Sequence, residues 1–470
     1  MTPQEEPVGP DDRYPRFPDV YEALVDLVQK ALPILQSVPV SLVEEERWIR
    51  HEGMFHRQIT TEPHWGIQFT ATTSRVQALP EYKEVGRAIQ SHPELARQMD
   101  TLVGSPMAAS RMTVDRVVSH LSTTILRTRA SGFDRAAFDS AYEHVEGALA
   151  SDSVAYRTVA PLTGFSCPEA TIQLSRDLAI RKMSDPEIVR AIELGLLHSV
   201  FGPGHPVDAP DFAIEFTQSL PKRVGDHNES AERAANWQEE PYAGIAHVLS
   251  TLRIFMEGRI DIAGTIASTS GWLASGTAFR SGDVRPPYIH AYVLTADDVA
   301  GLIAFYKACD SRAVRQSKGL DMAIRRFGYS SERRRADDQI VDLMIAAEAL
   351  YLQGRDDPAR GEQRYRLSLR GAMLTPTDEW DRRQLFALYR NAYDARSIVA
   401  HGGTVDKAKL PDGREVTLPE FCLVVTQQLR KAIKQAIEMC ARKNRTFQAD
   451  WENALLTGAP LDFVSDPPPT

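Results

Sequence analysis

Arg390-Asn391-Ala392-Tyr393-Asp394-Ala395-Arg396-Ser397-Ile398-Val399-Ala400-His401-Gly402-Gly403 is the stretch whose reading decides the fold of the C-terminal part of this chain. Leu385, Tyr389, Tyr393 and Arg396 recur at helical spacing, so the segment predicts a helix with an apolar and aromatic face. Gly402 and Gly403 stop it, because glycine takes the left-handed conformation at a helix end at little cost. An arginine and a histidine therefore sit around the last turn. Arginine supplies a permanent charge and a fork of donors suited to phosphate. Histidine is the side chain whose proton moves near neutral pH. Together they form a kit for cleaving a phosphodiester. Similar spacings occur at Arg50/His56, Arg57/His64, Arg87/His92 and Arg285/His290. The setting, a helix end with a glycine stop, separates Arg396/His401 from these.

Working outward, 331–445 predicts four helices: 336–352, 362–374, a third from the Thr377-Asp378 cap to His401, and 419–442. Pro419 and Glu420 suit a helix start. The connections are short except for a polar loop, 402–418, as in an antiparallel bundle. The remainder, 446–470, reads as a tail that loosens from Gly458. Upstream, 1–150 reads as mostly helical with short strands, and 151–330 as mixed α and β. Helical spacing marks 19–36, 81–90, 113–127, 133–149, 185–197, 241–255 and a helix after Thr295. Alternation marks strands at 155–162, 171–180, 211–220, 260–273 and 288–294, and short strands across 47–76 around a turn at Glu62-Pro63. The expected class is α+β: an N-terminal mixed region of one or two lobes, then an all-α C-terminal bundle.

At 470 residues, two or three domains are expected, and 43% hydrophobic with 25% charged residues is an ordinary globular balance. Cys167, Cys309, Cys422 and Cys440 are scattered without C-x-x-C pairing, which disfavours a disulfide scaffold or a zinc ribbon. Residues 1–16 are acidic and proline-rich, unlike a secretory signal. No run of about 18 apolar residues appears, so no membrane span and a cytoplasmic location are expected. The net charge of −9 disfavours a general nucleic-acid coat. It is uneven, however. Residues 331–445 hold 21 Lys and Arg against 17 Asp and Glu, an excess of +4, which leaves −13 elsewhere. The C-terminal segment is the better place to meet a polyanion.

The block Tyr393-x-x-Arg396-Ser397-x-x-x-His401-Gly402 is preceded by Ile345-Ala346-Ala347-Glu348-Ala349-Leu350 and Tyr365-Arg366-Leu367-Ser368-Leu369-Arg370. In this order the three blocks resemble the Apea-like branch of the HEPN superfamily. The resemblance implies a HEPN-like four-helix bundle over 331–445 acting as a metal-independent endoribonuclease on RNA, as a homodimer, without cofactor or metal. It implies catalytic roles for Arg396 and His401, with Ser397 and Tyr393 auxiliary. Ser397 stands where the family more often has Asn, Asp or His. It also implies that Glu348, set among apolar neighbours and in need of a partner, pairs with Arg370 on the facing helix. Proteins of similar arrangement are linked to antiviral defence and abortive infection, with an N-terminal region that senses an unknown trigger. Two other readings stay open: a non-catalytic module for dimerisation or for nucleotide or RNA binding, and a toxin half awaiting its antitoxin. If instead the pair is only structural, Arg396 pairs with an acid such as Asp394 or Glu348, and His401 is a helix cap.

Other motifs carry less. His51, His56 and His64 with Glu52 match no metal-binding spacing. Gly202-Pro203-Gly204 lacks the Lys-Ser/Thr of a phosphate loop, and Ser166 lacks the second glycine of a nucleophile elbow.

Overall fold

A computed structural model describes residues 14–99, 101–103, 110–128, 132–199, 205–222, 239–269, 278–281, 291–352 and 362–464. The expectations for 1–13, Gly202-Pro203-Gly204, most of the polar stretch 222–236, Arg285/His290 and the final prolines lie outside the described residues.

In chain order the elements begin with α1 (Pro18–Gln36), β1 (Leu42–His51), β2 (Met54–Pro63), α2 (Trp65–Gln77), α3 (Pro80–Ser91) and α4 (Pro93–Gln98). Next come β3 (Leu102–Val103), β4 (Ser110–Arg111), α5 (Val114–Arg127), α6 (Arg135–Ala150), β5 (Ser153–Thr163), β6 (Phe165–Ser166), β7 (Thr171–Gln173) and β8 (Leu178–Lys182). Then follow α7 (Asp185–Glu193), β9 (Phe212–Pro221), α8 (Glu239–Phe255), β10 (Asp261–Ile262), β11 (Gly264–Thr269), β12 (Ala278–Ser281) and β13 (Tyr292–Val293). The last part holds α9 (Ala296–Asp310), α10 (Arg312–Arg315), α11 (Lys318–Glu332), α12 (Ala336–Tyr351), α13 (Gln363–Leu374) and α14 (Arg382–Ala400). It closes with β14 (Lys407–Lys409), β15 (Glu415–Thr417), α15 (Leu418–Lys443) and α16 (Trp451–Thr457). The class is mixed α+β. No helix among the described residues is long and apolar enough to cross a membrane.

The chain forms two compact units from interleaved segments: residues 1–161, 183–242 and 262–286 in one, and 162–182, 243–261 and 287–470 in the other. The expected cuts at 150/151 and 330/331 do not coincide with this division.

In the first unit, β12, β11, β5 and β9 lie side by side. Ile266 of β11 stands opposite Val159 of β5, in antiparallel register. Period-two alternation sends Val154, Tyr156 and Ala267 into a core shared with α1, α2, α3, α5 and α6. Val159 and Ile266 enter a second core with α7. The long β1–β2 ribbon forms its own two-stranded sheet and turns at Glu52-Gly53, whose φ values are +50° and +84°. The turn is therefore here and not at Glu62-Pro63. Trp65, Ile67 and Phe69, expected in a strand, belong to α2: Phe69, Thr72 and Val76 are buried at helical intervals, and the His64 imidazole caps the start by accepting from the Ile67 N–H at 3.2 Å.

A large core of the second unit is built from α9 to α15 with Phe447 and Phe463. Two corrections follow for 331–470. The polar loop 402–418 contains the β14–β15 hairpin, so 331–445 is not all-α. The tail is partly ordered: Asp450 caps α16, and Phe463 lies in the core. The third helix also starts later than Thr377-Asp378, where Asp381 and Gln384 form a reciprocal capping box.

Gly371 is where α13 meets α14 most closely. A Cβ there would lie 2.6 Å from Tyr389 Cδ2. That ring cannot swing away, because Tyr389 is fully buried and its hydroxyl is tied to Thr375 at 2.8 Å and to Tyr351 at 3.0 Å. Gly371→Ala is expected to cost about 1–3 kcal/mol from overpacking, more than the helix-propensity gain of about 1 kcal/mol. A urea midpoint equal to or above wild type would refute the tight contact.

Candidate functional site

The end of α14 has the anticipated form. Gly402 takes φ +83°. The Gly403 N–H donates to Ile398 O at 2.9 Å and the Gly402 N–H to Val399 O at 3.0 Å, the two bonds of a Schellman motif. A Cβ on Gly403 would lie 2.7 Å from Ile398 Cγ2, so both glycines are needed. His401 is the C-cap. Its N–H donates to Ser397 O at 3.1 Å, and its imidazole is exposed, with no hydrogen bond among the described residues.

Arg396 lies five positions earlier. At 3.6 residues per turn it leaves the helix about 140° away from His401. Leu385, Leu388, Tyr389, Ala392 and Ala395 bury the inner face of α14, and Arg396 sits at its edge, its side chain 26% exposed. Its Nη2 approaches both carboxylate oxygens of Glu348 on α12, each at 3.4 Å. The guanidinium also lies 5.9 Å from the ring centroid of half-buried Tyr393. Asp394, the other possible partner, is taken by Arg364 at 2.8 Å. Ser397 is half-buried and contributes its carbonyl to the His401 cap.

The expected Glu348–Arg370 pair does not form. Arg370 Nη1 donates to the Tyr351 carbonyl at 2.8 Å, and its guanidinium lies 5.5 Å from the Trp451 ring centroid. α16 brings Trp451 beside α13, within reach of Arg370. Glu348 is thus free to serve Arg396. Burial pushes the Glu348 carboxyl above the usual glutamate range, and the Arg396 charge draws it part of the way back. A carboxyl raised in this way binds its proton more tightly folded than unfolded. Its contribution favours folding at low pH and is lost as pH rises through the folded pKa. In a carbon-detected NMR titration, Glu348 is expected to ionise above the ordinary range, and Arg396→Ala to move it higher still. A downward shift would show that Arg396 is not its main partner.

Two basic residues were missed. Arg390, Asp394, Ser397 and His401 recur at four, three and four positions, so they share one outer stripe of α14. Arg390 is exposed, and Arg364 reaches the same stripe through Asp394. The spacing was legible in the sequence; the reading stopped at the last turn, with Arg396, Ser397 and His401. Beside the stripe, Asn391 Nδ2 donates to Lys409 O at 2.9 Å, pinning a hairpin that exposes Lys407 and Lys409. The arrangement presents a free imidazole, a carboxylate-oriented guanidinium and several solvated cations near one helix end, chemistry suited to a phosphodiester. No group of three or more His, Cys, Asp or Glu among the described residues could hold a metal ion.

Comparison of the chain with protein-family models, with curated proteins and with solved structures finds no match.

Proposed function

We propose that the C-terminal helical region is a HEPN-like endoribonuclease that cuts RNA without a metal, as an effector in antiviral defence. The ribose 2′-oxygen attacks the neighbouring phosphorus and forms the new O–P bond. The P–O5′ bond breaks, leaving a 2′,3′-cyclic phosphate and a 5′-hydroxyl. His401 takes the 2′-hydroxyl proton, and an imidazolium returns one to the departing 5′-oxygen. Arg396 neutralises the phosphorane oxygens, and Arg390, Arg364 and the hairpin lysines hold the flanking phosphates. The observation that carries this reading is the free, exposed His401 imidazole at a glycine-closed helix end, with a guanidinium oriented by Glu348 one turn behind. Because Arg396 and His401 leave the helix about 140° apart, we assign the complete site to two copies of the chain around a two-fold axis.

A second reading has its own support. The Arg396–Glu348 pair and the capping role of His401 are what a non-catalytic binding or dimerisation module would show. End-labelled RNA and DNA of one sequence, incubated with the protein and a chelator, separate the two. Nuclease action gives cut RNA with cyclic-phosphate ends, intact DNA, and less cleavage as salt rises. RNA that is bound but uncut favours the module. RNA neither cut nor bound sinks both.

A further inference from the structure

A cavity of about 530 Å³ opens where the β1–β2 ribbon meets α2 and α5, within the range of small-molecule sites. Its walls carry Glu45, Arg47, Glu62, His64, Trp65 and Arg127. Arg47 and Glu62 neutralise one another at 3.2 Å. That leaves one cation and one anion without a charged partner among the described residues: Arg127, exposed at the last turn of α5, and Glu45, across the cavity on β1. Trp65 adds an aromatic wall. The backbone N–H groups of Trp65 and Gly66, the first two helical residues of α2, have no acceptor within the helix.

From these features we infer that the cavity binds a purine nucleoside monophosphate. The phosphate pairs with Arg127 and the open N–H groups. The base lies against Trp65, and Glu45 accepts hydrogen bonds from its amino edge. A free amino acid would match the two charges, but it would leave most of the volume and the aromatic wall unused. The site lies in the first compact unit and does not depend on the nuclease reading.

Isothermal titration of the full chain with GMP, AMP and inorganic phosphate tests it. Saturable one-site binding of GMP or AMP is expected, with inorganic phosphate much weaker. Arg127→Ala, a change at an exposed position, should weaken binding at least about tenfold, the loss of one charge-assisted phosphate contact. Glu45→Gln should weaken the purine nucleotide while leaving the response to phosphate unchanged. Trp65→Phe should retain binding, since the ring wall persists. No heat with either nucleotide at millimolar concentration overturns the assignment. So does Arg127→Ala binding that equals wild type. Inorganic phosphate binding as tightly as the nucleotides also overturns it, because the cavity would then read an anion alone.

Discussion

His401→Ala is expected to slow RNA cleavage by about 10²–10⁴-fold, the usual contribution of a positioned proton-transfer group, with a stability change within about 0.5 kcal/mol, as for other surface substitutions. The imidazole is exposed, and the bonds that close α14 are made by the backbones of 401–403, which alanine at 401 preserves. Arg396→Ala should also lose activity, but with a measurable fall in stability, because it leaves the half-buried Glu348 carboxylate without its partner. The two variants then discriminate between assemblies. In a two-fold site where Arg396 of one copy works with His401 of the other, mixing His401→Ala with Arg396→Ala chains rebuilds one intact half-site and restores part of the activity. If both groups act within one chain, the mixture stays dead. Full cleavage by His401→Ala alone would remove His401 from the mechanism and with it the site proposed at the end of α14.

The helices were legible where local rules suffice. Helical periodicity located α1, α3, α5, α6, α9 and the segments around α14, and the Gly402-Gly403 stop came out to the residue. Local rules failed where two patterns compete over a few residues. Trp65, Ile67 and Phe69 alternate like a strand, yet His64 can cap a helix there, and Phe69 and Val76 find a helical core. The Glu52-Gly53 hairpin turn was available as a signal, since both residues must take positive φ and glycine does so freely. What could not be read was partnership. Arg370 turned to Trp451, 81 positions away, and left Glu348 to Arg396. The helix end at His401-Gly402 was read correctly, but the partner of Glu348 was not.

Partnership at long range also makes the largest stability prediction. Arg253, near the end of α8, is 4% exposed. Its Nη1 donates to Gly328 O and to Glu332 Oε1, both at 2.9 Å, and its Nη2 lies 3.3 Å from Asp261 Oδ1, a carboxylate only 13% exposed. The same helix end is closed by side chains from distant segments. Tyr292 Oη donates to Leu252 O at 2.9 Å, Arg430 Nε to Arg253 O at 2.9 Å, and Lys434 Nζ to Phe255 O at 3.3 Å. Cations at a helix C-terminus are favoured by the peptide dipoles there. Here they also stitch α8 to α11 and α15. Arg253→Ala empties a packed site and removes a charged donor from both the Gly328 carbonyl and the Asp261 carboxylate. Removing one partner of a buried pair costs about 3–5 kcal/mol, a large fraction of the roughly 5–15 kcal/mol that stabilises a typical native protein. Arg253→Ala should therefore melt well below wild type, and the double variant Arg253→Ala/Asp261→Asn should recover part of the loss, because the low-exposure carboxylate that faced Arg253 no longer carries a charge. A single variant as stable as wild type would mean that water reaches Asp261 and that this junction holds nothing together. A double variant no better than the single would place the cost in packing and the lost carbonyl bonds instead of in the charge.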